Sequence, residues 1–489
     1  MHMVKRCELF GFRYAKIFLL LLLFSGICAG CLGKDPLEAR VDKLVRNLGN
    51  EDLDVGYASA YALIDIGEPS VDSLIKALKD EDPQVRSLAA YSLGRIGEPR
   101  ASKALIKTLE DPEPEVRINS TEALGNLGAA EAVAPLIELL KDDDDRVVIS
   151  SIFALEQLKA PEAVDPLLEF LDQDNKEVRR SSISALRAIG DPKAVDPLIE
   201  LFSDEELGEY AADAVGESGD EETVEKLLKL LDSRDPTVRV NSIYALIGTQ
   251  NPDSNYALIG IQDPDLVLPI VGMLDDRDKE VRRAAVFALG RFGREEASLT
   301  EQPLIKALGD PEEDVRMAAI RALGNSGGEE AVASLVELLH LETSDFSGAS
   351  AASDEDVREA GSVKLADWYV KREVVRSLVD IGDPGAVEPL ILLLGDEYYK
   401  IRRFAAEGLG KLGDRRAVSP LLKALETERE SEVRVAEVRA LGELGGPEAI
   451  EGLRRISVDM EEYGYVRTSA EEALAKLEGG GEENSSSTS

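Results

Sequence analysis

A unit of about 31 residues recurs along this chain, and this periodicity constrains the fold more than any other feature of the sequence. Residues 82–110 read DPQVRSLAAYSLGRIGEPRASKALIKTLE, and residues 176–204 read KEVRRSSISALRAIGDPKAVDPLIELFSD. A third copy, at residues 313–339, reads EDVRMAAIRALGNSGGEEAVASLVELL. Thirteen copies align in this way across the 489 residues. Because each copy of such an array packs on its neighbours, the chain can bury a long core without one globular centre.

Each unit is predicted to form two helices. Apolar residues of the first helix follow the spacing of one helical face, as in Val85, Leu88, Ala89, Leu93 and Ile96. Aspartate followed by proline is typical of a helix start, and we assign that role to Asp82-Pro83, Asp111-Pro112 and Asp235-Pro236. A glycine able to adopt a positive φ is predicted to end the first helix at Gly97, Gly128, Gly190, Gly382 and Gly413.

A proline recurs near the start of the second helix, at Pro135, Pro166, Pro197, Pro303, Pro389 and Pro420. In the first turn of a helix its missing N–H has no cost, whereas a deeper position would kink the helix. The sequence leaves both positions open.

The repeated pattern D-P-x-V-R…A-L-G-x-I-G-D-P-x-A-V-x-P-L, found over about residues 51–480, resembles the short HEAT repeat of the phycobilisome-lyase type. This resemblance implies an all-α fold, a right-handed α-solenoid of about thirteen HEAT-like helix pairs. It says little about function, because one fold serves many functions.

A cation recurs in the first turn of the first helix. We call these residues the arginine ladder: Arg86, Arg117, Arg179, Arg239, Arg282, Arg316, Lys371, Arg402, Arg434 and Arg467. Three copies have Gly56, Val148 or Gly208 instead. We expect the ladder to pair with carboxylates of its own or the adjacent repeat, as partly exposed ion pairs worth a few tenths to about 1 kcal/mol each. A role in recognition is the alternative.

The N-terminus is predicted to direct export. Lys5, Arg6, Arg13 and Lys16 precede an apolar run at residues 17–27 that is too short to span a bilayer, so residues 1–30 have the pattern of a signal peptide. The following Cys28-Ala29-Gly30-Cys31 resembles the lipobox of prokaryotic lipoproteins, although Cys28 stands where that family prefers leucine. The resemblance implies lipidation of Cys31 and an extracytoplasmic, membrane-anchored protein. Simple cleavage near Gly30 and an uncleaved anchor are the alternatives.

Composition excludes several classes of chemistry. The cysteines are Cys7, Cys28 and Cys31, so a chain beginning at Cys31 could form no intramolecular disulfide. The only histidines are His2 and His340, which excludes multi-histidine metal sites and histidine-based triads. We therefore expect no catalytic, cofactor-binding or metal-binding residues. A net charge of −39 argues against nucleic-acid binding.

One acidic run has two interpretations. Residues 142–145 are four consecutive aspartates, which could hold calcium but lack the spaced oxygens of an EF-hand loop. The other interpretation is a solvated cluster at a helix start, favoured by the helix dipole.

The repeat pattern also predicts boundaries. Residues 31–50 are expected to form an N-terminal cap, and residues 51–340 and 367–478 to form repeats, the latter ending in a C-terminal cap. The Ser/Ala/Gly/Asp-rich residues 341–366 are predicted to be a flexible insertion, and residues 479–489 a disordered tail. Capped ends favour a monomer.

Aromatic residues after the insertion occupy positions that are polar in earlier repeats. They are Trp368, Tyr369, Tyr398, Tyr399, Tyr463 and Tyr465, which we expect just before the first helices. We expect Trp368 and Tyr399, one repeat apart, to be neighbours. An aromatic strip is typical of protein-binding hot spots. The alternative is that the rings act as hydrophobic staples that close each helix start.

These observations favour a non-catalytic scaffold that binds a protein partner of unknown identity. A bilin-lyase-like enzyme or enzyme subunit that clamps a chromophore or other small molecule is the first alternative. The export signal argues against it, since such lyases work inside the cell. A structural spacer without a specific ligand is the second alternative.

Overall fold

The computed structural model describes residues 36–217, 220–248, 264–341 and 366–483, and within them the chain is helical with no β-strand. The predicted signal segment, Cys31, nearly all of the 341–366 insertion and residues 484–489 lie outside the described residues. A single helix, α1, covers Pro36–Asn47 in the predicted N-terminal cap.

The described residues contain thirteen first helices of repeats, which we number with even labels. Their bounds are α2 Leu53–Ile66, α4 Pro83–Ile96, α6 Pro114–Asn126, α8 Asp145–Leu158, α10 Lys176–Ile189, α12 Gly208–Gly216, α14 Pro236–Leu246, α16 Lys279–Arg291, α18 Glu313–Ser326, α20 Ala366–Ile381, α22 Tyr399–Leu412, α24 Ser431–Leu444 and α26 Gly464–Glu483.

The second helices take odd labels and are mostly shorter. Their bounds are α3 Val71–Ala77, α5 Ser102–Lys107, α7 Val133–Glu138, α9 Val164–Glu169, α11 Val195–Glu200, α13 Glu221–Leu230, α15 Val267–Gly272, α17 Ala297–Ala307, α19 Glu329–Leu341, α21 Val387–Leu393, α23 Val418–Thr427 and α25 Pro447–Val458. Most are preceded by one turn of 3₁₀ helix, such as Pro161–Ala163 before α9.

Local capping signals set many of the helix starts and ends. The Asp82 carboxylate accepts a hydrogen bond from the backbone N–H of Gln84, and Pro83 is the first residue of α4. Asp235 and Pro236 begin α14 in the same way. The five glycines predicted to have a positive φ all have one, which confirms that part of the pattern.

One predicted helix start is wrong. Helix α6 begins at Pro114 with Glu113 as the N-cap residue, and not at Asp111-Pro112. The sequence offers two prolines in this loop, and the second one takes the first helical position. The Asp111 carboxylate instead accepts hydrogen bonds from Arg86 of the preceding repeat and from the backbone N–H of Glu113.

The recurring prolines of the second helices mostly lie in the first turn of the α-helical segment. Pro135, for example, is the third residue of α7, where no intrahelical hydrogen bond would use its N–H. Pro303 lies further inside its helix, because α17 begins at Ala297.

The C-terminal helix is longer than the sequence predicted. We expected a disordered tail from residue 479, but α26 continues to Glu483. Once packing of Val466 and Ala470 has fixed the start of this helix, each further residue gains one hydrogen bond, so the glycines at 479–481 do not stop it at once.

Small residues let successive first helices approach closely. A Cβ added to Gly94 of α4 would lie 2.6 Å from the Cα of Ala123 of α6, so only glycine fits there. Leucines such as Leu93, Leu105 and Leu124 are fully buried around this contact, and each contributes roughly 1.5–3 kcal/mol by leaving water. Stacked helix pairs form an α-solenoid, as predicted. The chain divides after residue 218 into two compact units.

Candidate functional site

Eight cations of the arginine ladder each join their own repeat to the following one. In the first rung, Arg86 Nε and Nη2 donate to Asp111 Oδ2 and Oδ1 over 2.7 and 2.8 Å, and Arg86 Nη1 donates to the carbonyl oxygens of Asp80 and Glu81. Seven further rungs pair a ladder cation with a carboxylate of the following repeat: Arg117–Asp142, Arg179–Asp204, Arg239–Asp276, Arg282–Asp310, Lys371–Asp396, Arg402–Glu428 and Arg434–Glu462.

Most of these rungs are more buried than the sequence suggested, although the Arg179 and Asp204 side chains are 20% and 29% exposed. The side chains of Arg86 and Asp111 are 12% and 8% exposed, whereas we expected partly exposed pairs. The reason is that each guanidinium lies between two loops and turns its donors towards carbonyl groups as well as a carboxylate. The hydrogen bonds that Arg86 donates to the Asp111 carboxylate, together with the negative charge of that group, raise the pKa of Arg86 against the opposing effect of burial.

Two ladder residues contact only backbone carbonyls among the described residues. Arg316 Nη1 donates to the carbonyls of Asp310 and Pro311. Arg467 Nη1 donates to the carbonyl of Glu462 and more weakly to that of Asp459. The ladder therefore links loops to helix starts, which is a structural arrangement.

Four of the six aromatic residues singled out in the sequence form one cluster at the starts of α20 and α22. The ring centroids of Trp368 and Tyr398 are 5.6 Å apart, and Tyr369 packs edge-on against Trp368 at 6.1 Å. Tyr399 adjoins Tyr398 at 5.6 Å. All four side chains are partly exposed. We call these four residues the aromatic cluster.

The pairing within this cluster differs from the expected one. We expected Trp368 beside Tyr399, but the ring in contact with Trp368 is that of Tyr398. Tyr398 is the N-cap residue of α22 and has an extended backbone, with φ −89° and ψ 114°. A residue in this conformation points away from its own helix, so Tyr398 reaches the preceding repeat.

Tyr463 and Tyr465 do not belong to this cluster. Their rings stack on each other, with centroids 5.8 Å apart, and about half of each side chain is exposed. One repeat lies between the two groups, and its corresponding positions hold Glu430, Ser431 and Glu432. The predicted strip is therefore two separate groups.

Two cations lie over the rings of the aromatic cluster. The guanidinium carbon of Arg372 is 4.3 Å from the ring centroid of Tyr369 and 5.5 Å from that of Trp368. Lys400 Nζ lies 5.4 Å from the Trp368 ring centroid and 6.0 Å from that of Tyr398. Such cation–π contacts contribute about 0.5–1 kcal/mol at exposed sites and hold both partners in position.

A buried carboxylate, that of Glu373, binds two arginines next to the aromatic cluster. Glu373 is 3% exposed and accepts hydrogen bonds from Arg321 at 3.0 Å and from Arg372 at 2.7 Å. Burial opposes ionisation of Glu373, but the hydrogen bonds from Arg372 and Arg321 outweigh it and hold the pKa of this carboxyl below its usual value. Arg321 also donates to the Tyr369 hydroxyl at 2.9 Å, which fixes the ring. The cluster is thus a preorganised surface of rings and cations.

Aspartates of the acidic run at residues 142–145 make contacts within the protein. Asp142 pairs with Arg117, and Asp144 caps α8 and pairs with Arg146, so this acidic run forms protein contacts. No group of His, Cys, Asp or Glu that could hold a metal ion occurs within the described ranges. Within the same ranges, every helix is too short or too polar to cross a membrane. The side chain of His340 lies outside the described residues.

Sequence reasoning missed the cations of this surface. Arg321, Arg372 and Lys400 were not singled out, because arginine and lysine are common on helix surfaces. Alignment of the thirteen copies by position could have found Arg321, since its position holds Tyr61 and Tyr91 in early repeats.

Comparison with known proteins supports the repeat assignment. The family model for HEAT repeats matches residues 71–156, 149–208, 267–353, 356–436 and 387–475, well over half of the chain. A HEAT repeat-containing taxis protein of Halobacterium salinarum is 38% identical over 95 residues, which are 19% of this chain and 23% of that protein. The match therefore spans less than a quarter of that relative's length.

Solved structures share the fold. The karyopherin Kap121p bound to the extreme C-terminus of the protein phosphatase Cdc14p superposes with a TM-score of 0.60 at 14% identity, over 90% of this chain and 54% of that chain. The Kap95:Nup1 complex gives a TM-score of 0.56 at 14% identity, over 90% of this chain and 67% of that chain. This chain thus spans about half to two thirds of these karyopherins, and at such identities the likeness concerns the fold alone. The matched repeats and the stacked helix pairs together show that the chain belongs to the HEAT-repeat family.

Proposed function

We propose that this protein is a non-catalytic scaffold that binds another protein through the aromatic cluster. The observation that carries this proposal is the contact of Trp368 with Tyr398 across two repeats, with Arg372 and Lys400 over the rings. Large rings held rigidly and left partly exposed are what protein-binding hot spots use, because they bury area at little cost in conformational entropy.

The repeat architecture does not require rings at these positions. At the N-cap position of Tyr398, four other repeats have Asp82, Asp144, Asn175 or Asp278, whose side chains hydrogen-bond the helix start. Three more have a glutamate there that makes no capping bond, at Glu113, Glu312 and Glu430. The Tyr398 side chain makes no such capping bond. Replacing a capping residue by one that makes no capping bond lowers the stability of the helix start by about 1 kcal/mol. A tyrosine at this position is therefore less stabilising than an aspartate or asparagine. A binding role explains why the less stabilising residue is present.

The fold is suited to protein partners. The solved karyopherins that share it are complexes, one with the C-terminus of a phosphatase and one with Nup1. Stacked repeats present a long surface to which a partner segment can bind. We transfer only this general mode of binding to the present chain.

We further propose that the protein is exported and held on the outer face of the cytoplasmic membrane through a lipid on Cys31. Support comes from the basic and apolar segments of residues 1–30 and the small residues before Cys31. We also propose that the repeats are of the short phycobilisome-lyase type, on the strength of the recurring motif, and that the protein is a monomer without its partner.

Affinity capture from native membrane extract tests the scaffold proposal. The bait would be the chain from Cys31, compared with its Trp368→Ser/Tyr398→Ser variant and with the matched control Tyr57→Ser/Tyr61→Ser. Tyr57 and Tyr61 are also partly exposed on a first helix, 47% and 46%. Bound proteins would be quantified by mass spectrometry, and thermal unfolding of each bait would be followed by circular dichroism.

The proposal expects a protein that the wild type and the control retain and that the cluster variant loses, with all three baits folded. Unchanged capture together with a lowered melting temperature of the cluster variant would contradict it. That outcome would mean that the rings serve to close helix starts.

A further inference from the structure

The second helices α7, α9 and α11 of the first unit carry a surface rich in carboxylates. We call it the acidic face and define it by five exposed residues of these helices and the 3₁₀ turns beside them: Glu131, Glu162, Glu169, Asp172 and Glu200. Helix α7 contacts the turn before α9, and α9 contacts the turn before α11. The five carboxylates therefore belong to one stack of neighbouring helices.

Aliphatic side chains are partly exposed on the same helices. They are Ile137, Leu168 and Ile199, each directly before the glutamate that ends its helix. The face therefore offers apolar contact area next to carboxylates, and its residues are open to solvent in the part of the chain that the structure describes.

The cations of this surface do not balance its carboxylates. Residues 130–141, 161–172 and 192–203 contain eight Asp or Glu residues but only two cations, Lys141 and Lys193. Lys141 pairs with Glu138 at 3.6 Å, and Lys193 pairs with Asp165 at 3.4 Å. The five carboxylates of the acidic face form no ion pair with any residue in the described ranges. An excess of negative charge is therefore left after the protein's own pairs are counted.

The chain itself shows that a cation fits between successive second helices. In three repeats the middle residue of the 3₁₀ turn before the second helix is a cation close to a carboxylate of the preceding second helix: Arg100 is 3.5 Å from Asp72, Lys193 is 3.4 Å from Asp165, and Arg416 is 3.7 Å from Glu388. In the turns before α7 and α9 this position holds Glu131 and Glu162 instead. A cation between these helices must therefore come from another molecule.

We propose that the acidic face binds a short basic segment of a partner protein, an interaction that goes beyond the proposed function and does not rest on the aromatic cluster. Lysine and arginine side chains of the segment donate hydrogen bonds to the carboxylates. Their aliphatic stems pack on Ile137, Leu168 and Ile199. Packed helices lie about 8–10 Å apart, so three of them span roughly 20 Å. An extended segment of about six or seven residues covers that distance.

Other occupants fit this surface less well. Within the described residues, no three of its carboxylates lie close enough together to hold a metal ion. Nucleic acids and anionic membranes carry charge of the same sign as the face and are repelled by it. A second copy of this chain would bring a net charge of −39, so repulsion also opposes self-association. A basic polypeptide supplies both the cations and the apolar stems.

Fluorescence anisotropy with a labelled peptide of Lys-Leu-Arg repeats tests the inference on the chain from Cys31. The face variant, Glu162→Gln/Glu169→Gln/Glu200→Gln, would be compared with the control Glu51→Gln/Glu81→Gln/Glu177→Gln, which changes the net charge equally at exposed sites elsewhere in the first unit. Circular dichroism checks that each variant is folded.

A second variant, Glu162→Lys, guards against an unfolded triple variant. It places at this position the kind of residue that Arg100 and Lys193 provide in other repeats, so the fold accepts it. The added cation repels a basic peptide, and binding should be weaker than in the wild type.

We expect the wild type and the control to bind the peptide, and the face variant to bind it about tenfold more weakly, with a smaller dependence on salt. Absence of peptide binding to the wild type, equal binding by the face variant, or an equal loss in the control would overturn the inference. So would spermine that displaces the peptide at an equal concentration, because charge alone would then explain binding. Self-association that the wild type shows and the face variant lacks would also overturn it.

Discussion

At the scale of single residues, burial separates two kinds of arginine that look alike in the sequence. Arg86 and Asp111 are nearly enclosed, whereas Arg146 is 62% exposed beside Asp144 and Glu115. Loss of one partner from a buried pair leaves an uncompensated charge in a medium of low dielectric constant. An exposed charge is solvated with or without its partner.

We therefore predict that Arg86→Ala lowers the free energy of unfolding by about 3 kcal/mol or more, because the Asp111 carboxylate loses its partner. Arg146→Ala is the matched control and should cost less than about 1 kcal/mol. Urea-induced unfolding followed by circular dichroism measures both. Similar small losses in the two variants would show that the ladder contributes little to stability.

Glu437 is a second residue whose environment sets its behaviour. It is completely buried, and neither carboxyl oxygen has a hydrogen-bond partner. Most other repeats have a small residue at this position, among them Ser59, Ala89, Ser120, Ala405 and Ala470. Burial, with repulsion from Glu428 adding to it, raises the pKa of Glu437 to about 8, although Arg434 and Arg402 oppose the shift.

We predict a pH dependence of stability from Glu437. The folded protein holds this proton more tightly than the unfolded chain, so the free energy of unfolding should fall as pH rises from 4.5 to about 8 and then level off. At about 1.4 kcal/mol per pKa unit, the fall is on the order of a few kcal/mol. Glu437→Gln should remove this component when urea unfolding is measured across that range. Parallel pH profiles of wild type and variant would contradict the assignment.

At the scale of the element, the helix ends show what a sequence can predict. Signals that act within a few residues, such as the Asp82 cap and the positive φ of Gly97, were predicted correctly. The start of α6 was not, because two prolines compete in one loop. The partner of each ladder cation lies in the next repeat, and only the stacking of repeats determines which carboxylate it meets.

The end of α8 offers a prediction at this scale. Lys159 stands where other first helices have glycine, and it adopts the left-handed conformation with φ 47° and ψ 48°. For a residue with a Cβ this conformation costs roughly 1–2 kcal/mol. Lys159→Gly should therefore stabilise the protein by about 1 kcal/mol, measured by thermal unfolding.

The reverse change at an equivalent site is the control. Gly97→Ala adds a Cβ that meets no atom within 4 Å, so its cost reports backbone strain alone and should be about 1 kcal/mol. An unchanged or lower stability of Lys159→Gly would show that the lysine side chain makes a compensating contact.

At the scale of the whole molecule, the repeats contact mainly their neighbours, and stability should be local. Ile152 of α8 is fully buried, and Ile152→Ala should cost about 2–5 kcal/mol. In a repeat array such a loss affects adjacent repeats most. We predict faster amide hydrogen exchange in α6, α8 and α10 and unchanged exchange in α22 and α24. Uniformly faster exchange would indicate that the chain unfolds as one cooperative unit.

The candidate site could be predicted only in part from the sequence. Position within the repeat pointed to Trp368 and Tyr398, because rings replace polar residues there. The separation of Tyr463 and Tyr465 from the cluster, and the cations over its rings, depend on side-chain packing between repeats. Burial of Glu373 and Glu437 likewise follows from neighbours that are distant in the sequence.

The measurement that tests the central claim most directly is photo-crosslinking in intact cells. A benzoylphenylalanine would replace Tyr399 in the aromatic cluster or, as the control, Phe153, which is 49% exposed on the first unit. We predict a crosslinked protein from position 399 that is absent from position 153 and disappears with Trp368→Ser. Adducts that are equal at the two positions, or that form only at position 153, would contradict a partner bound at the aromatic cluster.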